Sequence, residues 1–430
     1  MDKACGIVAE YNPFHNGHLH CLQEAKRLTG LPVIAVMSGS IMQRGEPAFM
    51  DKWTRARLAA ICGADLVLEL PAAFSLRSAQ YFAQSAVSVL RACGIVTALA
   101  CGVENPGYPF QALAQATVAP QFQTQLRNYL KNGLSYAAAM EKALLAAAVP
   151  DDAANHAISL GAAAKPKPLT AFSSPNDILA LEYSKALLGT GIAAHYIRRT
   201  DSGYNSSDIS AAENYASASA IRRACLDGSY TAAARLTPAP VAAMLAKASH
   251  NKYGYDERLL WQLLCYRLRL LTPEEIVARC TCSEGLENTL KQLQNCRSLA
   301  EALQKASSSR NSASRLRRLL LQLLFDRPRR VFEQQEPAYL RVLAFNEAGR
   351  GLLRQIKRAA ALPVITKLGR SPWRGQSQAF KEQLKLDIAA SDLWALLQEP
   401  QQDTGSDYYI SPAYIKETIL TQKKNQYTPK

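Results

Sequence analysis

The stretch Gly6-Ile7-Val8-Ala9-Glu10-Tyr11-Asn12-Pro13-Phe14-His15-Asn16-Gly17-His18 decides the fold of this chain of 430 residues. It begins inside a short apolar run, Cys5 to Ala9, of the kind that forms a buried strand. A turn follows, because Pro13 has no N–H for a sheet ladder and biases the preceding residue away from the helical conformation. From His18 onwards apolar residues recur at helical spacing, which predicts a helix that ends at Gly30.

Two histidines, His15 and His18, lie where this strand meets the first turn of the helix. They are three residues apart and therefore share one face, while Gly17 between them lets a large ligand approach the backbone. The free N–H groups and the positive dipole end of a helix N-terminus attract phosphate. The pattern predicts a phosphate site that stabilises the charge on a departing pyrophosphate group.

A metal site and ordinary surface histidines are the alternative interpretations of this histidine cluster. Three of the six histidines of the chain, including His20, lie between positions 15 and 20. A zinc site would need a third or fourth ligand, and Cys21 is the only thiol nearby in the sequence. We therefore predict phosphate binding and no metal ligands at this site.

The segment His15-Asn16-Gly17-His18 after a strand resembles the HxGH signature of the nucleotidylyltransferase superfamily, whose Rossmann-like fold is related to that of class I aminoacyl-tRNA synthetases. The longer string from Val8 to His18 resembles the tRNA(Met) cytidine acetate ligase family. This resemblance implies that His15 and His18 are catalytic. It also implies that ATP is bound by one continuous segment, made of Ile7, Val8, Ala9, Glu10, Tyr11, Asn12, Pro13, Phe14, His15, Asn16, Gly17, His18, Leu19 and His20.

Three later residues lie at positions suited to a nucleotide. Gly102 follows a predicted strand and leaves room for a ribose or adenine, Asn176 carries an amide suited to a base edge, and Arg199 follows a short strand and has a guanidinium suited to phosphate. A turn glycine and a helix-capping asparagine explain the first two equally well. The family resemblance assigns all three to ATP binding.

Two other segments are predicted to border the ligand. The loop after the second strand contains Gln43 and Arg44, which face substrate or tRNA unless the loop is a plain structural turn. The segment from Ala216 to Arg223 resembles the serine-rich, arginine-ending motif that many nucleotidylyltransferases place over the triphosphate. Its altered form, with alanines between the serines, leaves direct phosphate contact open.

The charge of the chain is unevenly distributed. Its net charge is +15, of which residues 1–216 carry +1 and residues 217–430 carry +14. A neutral half joined to a basic half predicts a catalytic domain followed by a nucleic-acid-binding region; a generally basic protein that binds nothing anionic is the alternative. Seven arginines between positions 310 and 330 are candidates for tracking an RNA backbone, and a solvated basic face is the alternative.

We predict an α/β fold with two domains. Residues 1–225 form a Rossmann-like, parallel-sheet nucleotidylyltransferase domain that binds ATP, and residues 226–430 form a mostly α-helical basic region that binds tRNA. The second region includes a predicted helix over 340–357. The ten cysteines are scattered and include no CxxC pair. The sequence also shows no secretory signal and no apolar run of about 18 residues. These features predict a cytoplasmic protein with no membrane partner.

The resemblance implies a two-step ligase reaction. ATP and acetate give acetyl-adenylate and pyrophosphate, and the acetyl group then passes to the wobble cytidine of elongator tRNA(Met) to form N(4)-acetylcytidine. Mg2+ is expected because it usually accompanies ATP. Two other classes of function fit the residues, namely an adenylyltransferase for a small phosphorylated metabolite and an RNA-binding protein with a vestigial nucleotide site. The sequence indicates no oligomeric state.

Overall fold

A sheet of eight strands forms the centre of the protein in a computed structural model, which describes residues 3–134, 136–146, 174–199, 215–247, 253–308, 310–369 and 373–418. The strands are β1 (Ala4–Ala9), β2 (Val33–Ser38), β3 (Leu66–Leu70), β4 (Val96–Val103), β5 (Ala193–Arg198), β6 (Leu340–Asn346), β7 (Val364–Ile365) and β8 (Ala413–Ile415). Their order is β5-β4-β1-β2-β3-β6-β7, and β8 pairs with β6. The first five strands are all parallel, as predicted for a Rossmann-like domain.

Helices connect these strands and form most of the second half of the chain. The helices of the first half are α1 (Asn16–Thr29), α2 (Lys52–Ile61), α3 (Ala72–Ser75), α4 (Ala79–Ala92), α5 (Phe110–Ala116), α6 (Pro120–Lys131), α7 (Tyr136–Ala146) and α8 (Pro175–Leu187). Those of the second half are α9 (Ala218–Leu226), α10 (Tyr230–Arg235), α11 (Ala239–Lys247), α12 (Glu257–Leu270), α13 (Pro273–Arg279), α14 (Leu286–Gln292), α15 (Leu299–Ala306), α16 (Ala313–Leu324), α17 (Arg329–Glu333), α18 (Glu347–Ala359), α19 (Gln378–Leu396) and α20 (Ser406–Tyr409). Among the described residues, no helix combines the length and apolar character needed to cross a membrane.

The sheet is buried on both faces, which explains why its strands are continuous apolar runs. Along β1, Ala4 and Val8 belong to one core, whereas Cys5 and Ile7 belong to the other. Helices α4 and α8 cover the first face, and α12 and α16 of the basic half belong to the same core. Helices α1, α2 and α9 cover the second face. The helical half is therefore packed onto the core of the first half.

The predicted helix over 340–357 is wrong in its first seven residues. These residues form β6, which runs antiparallel to β3, and α18 begins only after Asn346 caps it by accepting the N–H of Gly349 at 3.0 Å. The misleading residue is Arg341, which looks like the polar side of a helix but is fully buried against Asp407. Strands from beyond residue 226 thus complete the sheet, and the division at residue 225 stays a prediction about function.

Candidate active site at the carboxyl edge of the sheet

A cavity of about 430 Å³ lies where the carboxyl ends of β1, β4 and β5 meet. Strand β1 lies between β2 and β4 in the sheet. The chain first adds β2 and β3 on one side of β1 and then crosses to add β4 and β5 on the other side. Open parallel sheets bind ligands at the point where the direction of the connections switches in this way. The predicted ATP residues that line it are Ile7, Val8, Ala9, Glu10, Tyr11, Asn12, His15, Gly17, His18, His20, Gly102, Asn176 and Arg199. The structure therefore brings together the early segment and the three later residues.

Four residues of the predicted segment, Pro13, Phe14, Asn16 and Leu19, are not part of the cavity lining. Phe14 is buried, with its ring centroid 4.8 Å from that of Tyr11 and 5.6 Å from that of His18, so it supports the histidine from behind. The backbone N–H of Asn16 donates to the carbonyl of Leu236 at 3.1 Å. Direct ATP contact by these four residues stays a prediction.

The two signature histidines form a close pair with tilted rings at the start of α1. His15 is the N-cap, and its Nδ1 accepts the N–H of Gly17 at 3.0 Å, while Nδ1 of His18 accepts the N–H of His15 at 3.3 Å. Their ring centroids are 3.8 Å apart. Because each Nδ1 is an acceptor, the hydrogen-bond pattern assigns the proton of each neutral ring to Nε2. Each ring therefore has one N–H donor that the helix cap does not use.

Burial keeps both imidazoles uncharged. It lowers the pKa of His15 to about 3, with a further contribution from Arg199, and it lowers the pKa of His18 well below the ordinary value, helped by His15 and Arg199. Neutral N–H donors in a buried site stabilise developing negative charge without first losing a proton. This arrangement suits the departure of pyrophosphate.

Arginines surround the histidine pair. Arg44, Arg198, Arg199 and Arg222 all line the cavity, whereas Glu10 is the one carboxylate among the described lining residues. The lining thus has an excess of positive charge that suits a triphosphate.

Arg199 is held in place by the other two predicted nucleotide residues. Its guanidinium donates to Oδ1 of Asn176 at 3.3 Å, and Nδ2 of Asn176 donates to Glu104 at 2.8 Å. A Cβ at Gly102 would lie 3.3 Å from Cγ of Arg199. The glycine therefore also makes room for the arginine side chain, a role that the sequence pattern did not indicate.

The two bordering segments lie at the cavity as predicted. Gln43 and Arg44 line it from the loop after β2. Ser217 caps α9 by accepting the N–H of Ala220 at 3.2 Å, and Ser219 and Arg222 line the cavity beside it.

Sequence reasoning missed Arg55, which orders the edge of the sheet. Its guanidinium donates to the carbonyls of Glu10 at 2.7 Å and Ser38 at 3.1 Å, and also to that of Gly39. It thereby joins the chain just beyond β1 to the end of β2. The signal was available, because Lys52 and Arg55 share one face of α2 with small alanines, and a charge on such a face has to find buried partners.

The described residues contain no group of three or more His, Cys, Asp or Glu side chains able to hold a metal ion. The site therefore does not fit a magnesium ion held by protein ligands alone, and we derive no step through one.

The chain is similar to known proteins over nearly its whole length. A family model described as HIGH Nucleotidyl Transferase matches residues 2–407. The tRNA(Met) cytidine acetate ligase of Alkaliphilus metalliredigens is 35% identical over 433 residues, which cover 96% of this chain and 99% of the relative. The protein of the same name from Halothermothrix orenii is 33% identical, covering 95% and 98%. The crystal structure of Thermotoga maritima TmcAL bound with alpha-thio ATP has a TM-score of 0.83 and 30% identity, covering 96% of this chain and 100% of that chain.

Proposed function

The chain belongs to the HIGH nucleotidyl transferase family and, within it, to the tRNA(Met) cytidine acetate ligases, and from this premise we propose how its cavity carries out the reaction. In the first step a carboxylate oxygen of acetate attacks the α-phosphorus of ATP, and the bond to pyrophosphate breaks. In the second step the N4 amine of the wobble cytidine of elongator tRNA(Met) attacks the acetyl carbon, and AMP leaves. The close pair of neutral histidines is the observation that carries the proposal.

In the first step, charge accumulates on the departing pyrophosphate. His15 and His18 each offer an N–H that is not used in capping α1, and the helix adds its own N-terminal dipole. Arg199 and Arg222 line the same cavity and hold the phosphates. Acetate is the nucleophile, so no covalent intermediate with the enzyme is needed, and positioning and electrostatic stabilisation provide the rate.

The position of the basic half is consistent with a tRNA that binds there and reaches this cavity. Arg317 on α16 pairs with Glu46 at 2.7 Å, and Arg318 donates to the carbonyl of Gln43 at 3.1 Å. Gly45 has a φ of +77°, and a Cβ there would lie 2.6 Å from the backbone nitrogen of Arg318. The arginine-rich helix thus lies directly against the loop that lines the ATP cavity.

Other arginines of the same cluster also have partners within the protein. Arg317 and Arg318 hold the loop, while Arg329 pairs with Glu333 and Arg330 pairs with Glu382. Several of the predicted RNA ligands therefore have partners within the protein. We propose that α16 guides RNA to the cavity mainly by the overall charge of this half.

We propose further that magnesium arrives on the phosphates of ATP, and that the enzyme meets its tRNA in the cytoplasm. Both proposals follow from the substrates rather than from ligands in the protein.

The first half-reaction predicts that the purified protein exchanges labelled pyrophosphate into ATP only when acetate is present. The exchange reaction is run first without RNA, because a cavity formed by the protein alone needs none. It is repeated with tRNA present, in case bound tRNA is required to complete the cavity. Exchange that depends on acetate supports acetyl-adenylate formation. Exchange that depends instead on a phosphorylated metabolite would favour the small-molecule adenylyltransferase, and its absence with every substrate would favour an RNA-binding protein.

A further inference from the structure

The second half-reaction needs a proton acceptor, and the following inference rests on the proposed function. The lone pair of the cytosine N4 amine is delocalised into the ring, so the nitrogen becomes a useful nucleophile only as it loses a proton. When N4 bonds to the acetyl carbon, this proton has to move to a nearby base. General bases placed in this way contribute about 100- to 10,000-fold to a rate.

The histidine pair is unsuited to this task. Nδ1 of His15 and Nδ1 of His18 already accept backbone N–H groups, and Nε2 of each neutral ring already bears a proton. The two rings can donate hydrogen bonds in the cavity but cannot accept a proton without breaking the helix cap. Their buried position also lowers the pKa of both rings and opposes the charged form.

Other ionisable groups of the lining are also poor bases. The hydroxyl of Tyr11 and the thiol of Cys101 are buried, which raises the pKa of each far above neutral, so both stay protonated and hold their protons tightly. The arginines are cations with no lone pair to offer. Burial likewise raises the pKa of the Tyr183 hydroxyl well above its ordinary value. Glu10, His20 and Cys21 are the described lining groups that remain, and the Cys21 thiol has to lose its own proton before it can act as a base.

Glu10 is positioned like a base. It follows β1 directly and precedes the signature histidines in the same β1–α1 connection, so it faces the cavity in which pyrophosphate departs. Its Oε1 accepts the N–H of Gln43 at 2.6 Å, and its own carbonyl accepts from Arg55 at 2.7 Å. Among the described residues, no hydrogen-bond donor contacts Oε2. One carboxylate oxygen is therefore fixed, and the other remains available.

The surroundings of Glu10 set its proton affinity. Burial raises the pKa of Glu10, while the hydrogen bond from Gln43 and the charges of Arg222, Arg55 and Arg44 act in the opposite direction. Tyr183 lines the same cavity, and burial followed by the charges of Cys101 and Glu10 raises the pKa of its hydroxyl. The net effect is a carboxylate that holds a proton more strongly than one in water does.

We propose that Glu10 is the general base of the acetyl-transfer step. As N4 of cytidine attacks the acetyl carbon of acetyl-adenylate, Glu10 takes the N4 proton. The bond between the acetyl carbon and the phosphate oxygen breaks, and its electron pair leaves with AMP. The proton passes from Glu10 to water after the products depart.

The test supplies synthetic acetyl-adenylate and tRNA(Met) in a single turnover, which bypasses the first half-reaction. Glu10→Gln keeps an acceptor for the N–H of Gln43 but cannot take a proton. Transfer is expected to fall by about 100-fold or more, and pyrophosphate exchange is expected to fall far less. The wild-type transfer rate should decrease as the pH is lowered and Glu10 becomes protonated, whereas the residual rate of Glu10→Gln should not show this dependence.

His20→Gln tests the competing base of the same cavity, and His195→Asn, which changes a histidine outside the cavity lining, is the control. A transfer rate near that of the wild type in Glu10→Gln would overturn the proposal and indicate that the adenylate phosphate accepts the proton. Equal losses of exchange and transfer would also overturn it, since Glu10 would then serve ATP binding alone. A large loss in His20→Gln alone would assign the base to His20. A wild-type enzyme that does not transfer from acetyl-adenylate would instead contradict the proposed function itself.

Discussion

Replacing His15 with asparagine is expected to lower acetate-dependent pyrophosphate exchange by about 100- to 1,000-fold, the usual cost of removing a preorganised donor from developing charge. Asparagine is among the preferred N-cap residues, so α1 keeps its start when Nδ1 of His15 no longer accepts the N–H of Gly17. The variant loses only the imidazole N–H that we propose stabilises the departing pyrophosphate. Exchange rates and the thermal midpoint, measured on the same preparation, separate catalysis from folding.

His195→Asn is the matched control. His195 lies on β5, is half-buried and is not among the residues that line the cavity. We expect this variant to retain the exchange rate of the wild type. The account of the histidine pair would be contradicted if the two variants lost activity equally, or if His15→Asn lost it only in proportion to a lower thermal midpoint.

The largest expected effect on stability comes from Lys52→Met. Lys52 is 1% exposed, and its ammonium donates to Glu69 at 2.8 and 3.0 Å and to Asp407 at 2.8 Å. Removing the cation leaves two buried carboxylates without their main partner. Breaking a buried pair in this way costs about 3–5 kcal/mol in the free energy of unfolding. Denaturant titration of the wild type and the variant measures this cost.

Two further variants test this interpretation of Lys52→Met. Arg27→Met removes an exposed partner of Glu24 and is expected to cost less than about 1 kcal/mol. Adding Glu69→Gln to Lys52→Met removes one of the uncompensated charges and should recover part of the lost stability. Equal costs for Lys52→Met and Arg27→Met, or no recovery in the double variant, would contradict the importance of this buried network.

The first βαβ unit and the histidine pair were predictable because their signals are local. The apolar run of β1, the turn at Pro13 and the helical period after His18 lie within a single stretch, and the parallel strands predicted around them determine which edge binds the ligand. Gly102, Asn176 and Arg199 were predicted from the same rule together with the family resemblance. The structure brings them to the same cavity.

The features that were missed depend on partners far away in the sequence. β6 was mistaken for helix because the partner of Arg341, Asp407, is 66 residues further on. Arg55 holds the carbonyls of Glu10 and Ser38. Its place beside Lys52 on one face of α2 indicates buried partners, but it does not reveal that these partners are backbone carbonyls. Phe14 illustrates a third difficulty, since it belongs to the signature segment but packs behind His18. A motif indicates which segment forms the site, but not which of its side chains face the ligand.

The most direct test of the central claim is to incubate the protein with ATP, isotopically labelled acetate and tRNA(Met), and then to analyse nuclease fragments of the tRNA by mass spectrometry. We expect one labelled acetyl group, on the wobble cytidine, that requires ATP and is absent when a tRNA with another base at that position is used. Two results would contradict the proposed function. One is the absence of labelled acetyl groups in the tRNA under conditions in which ATP and tRNA both bind, and the other is label on other nucleotides.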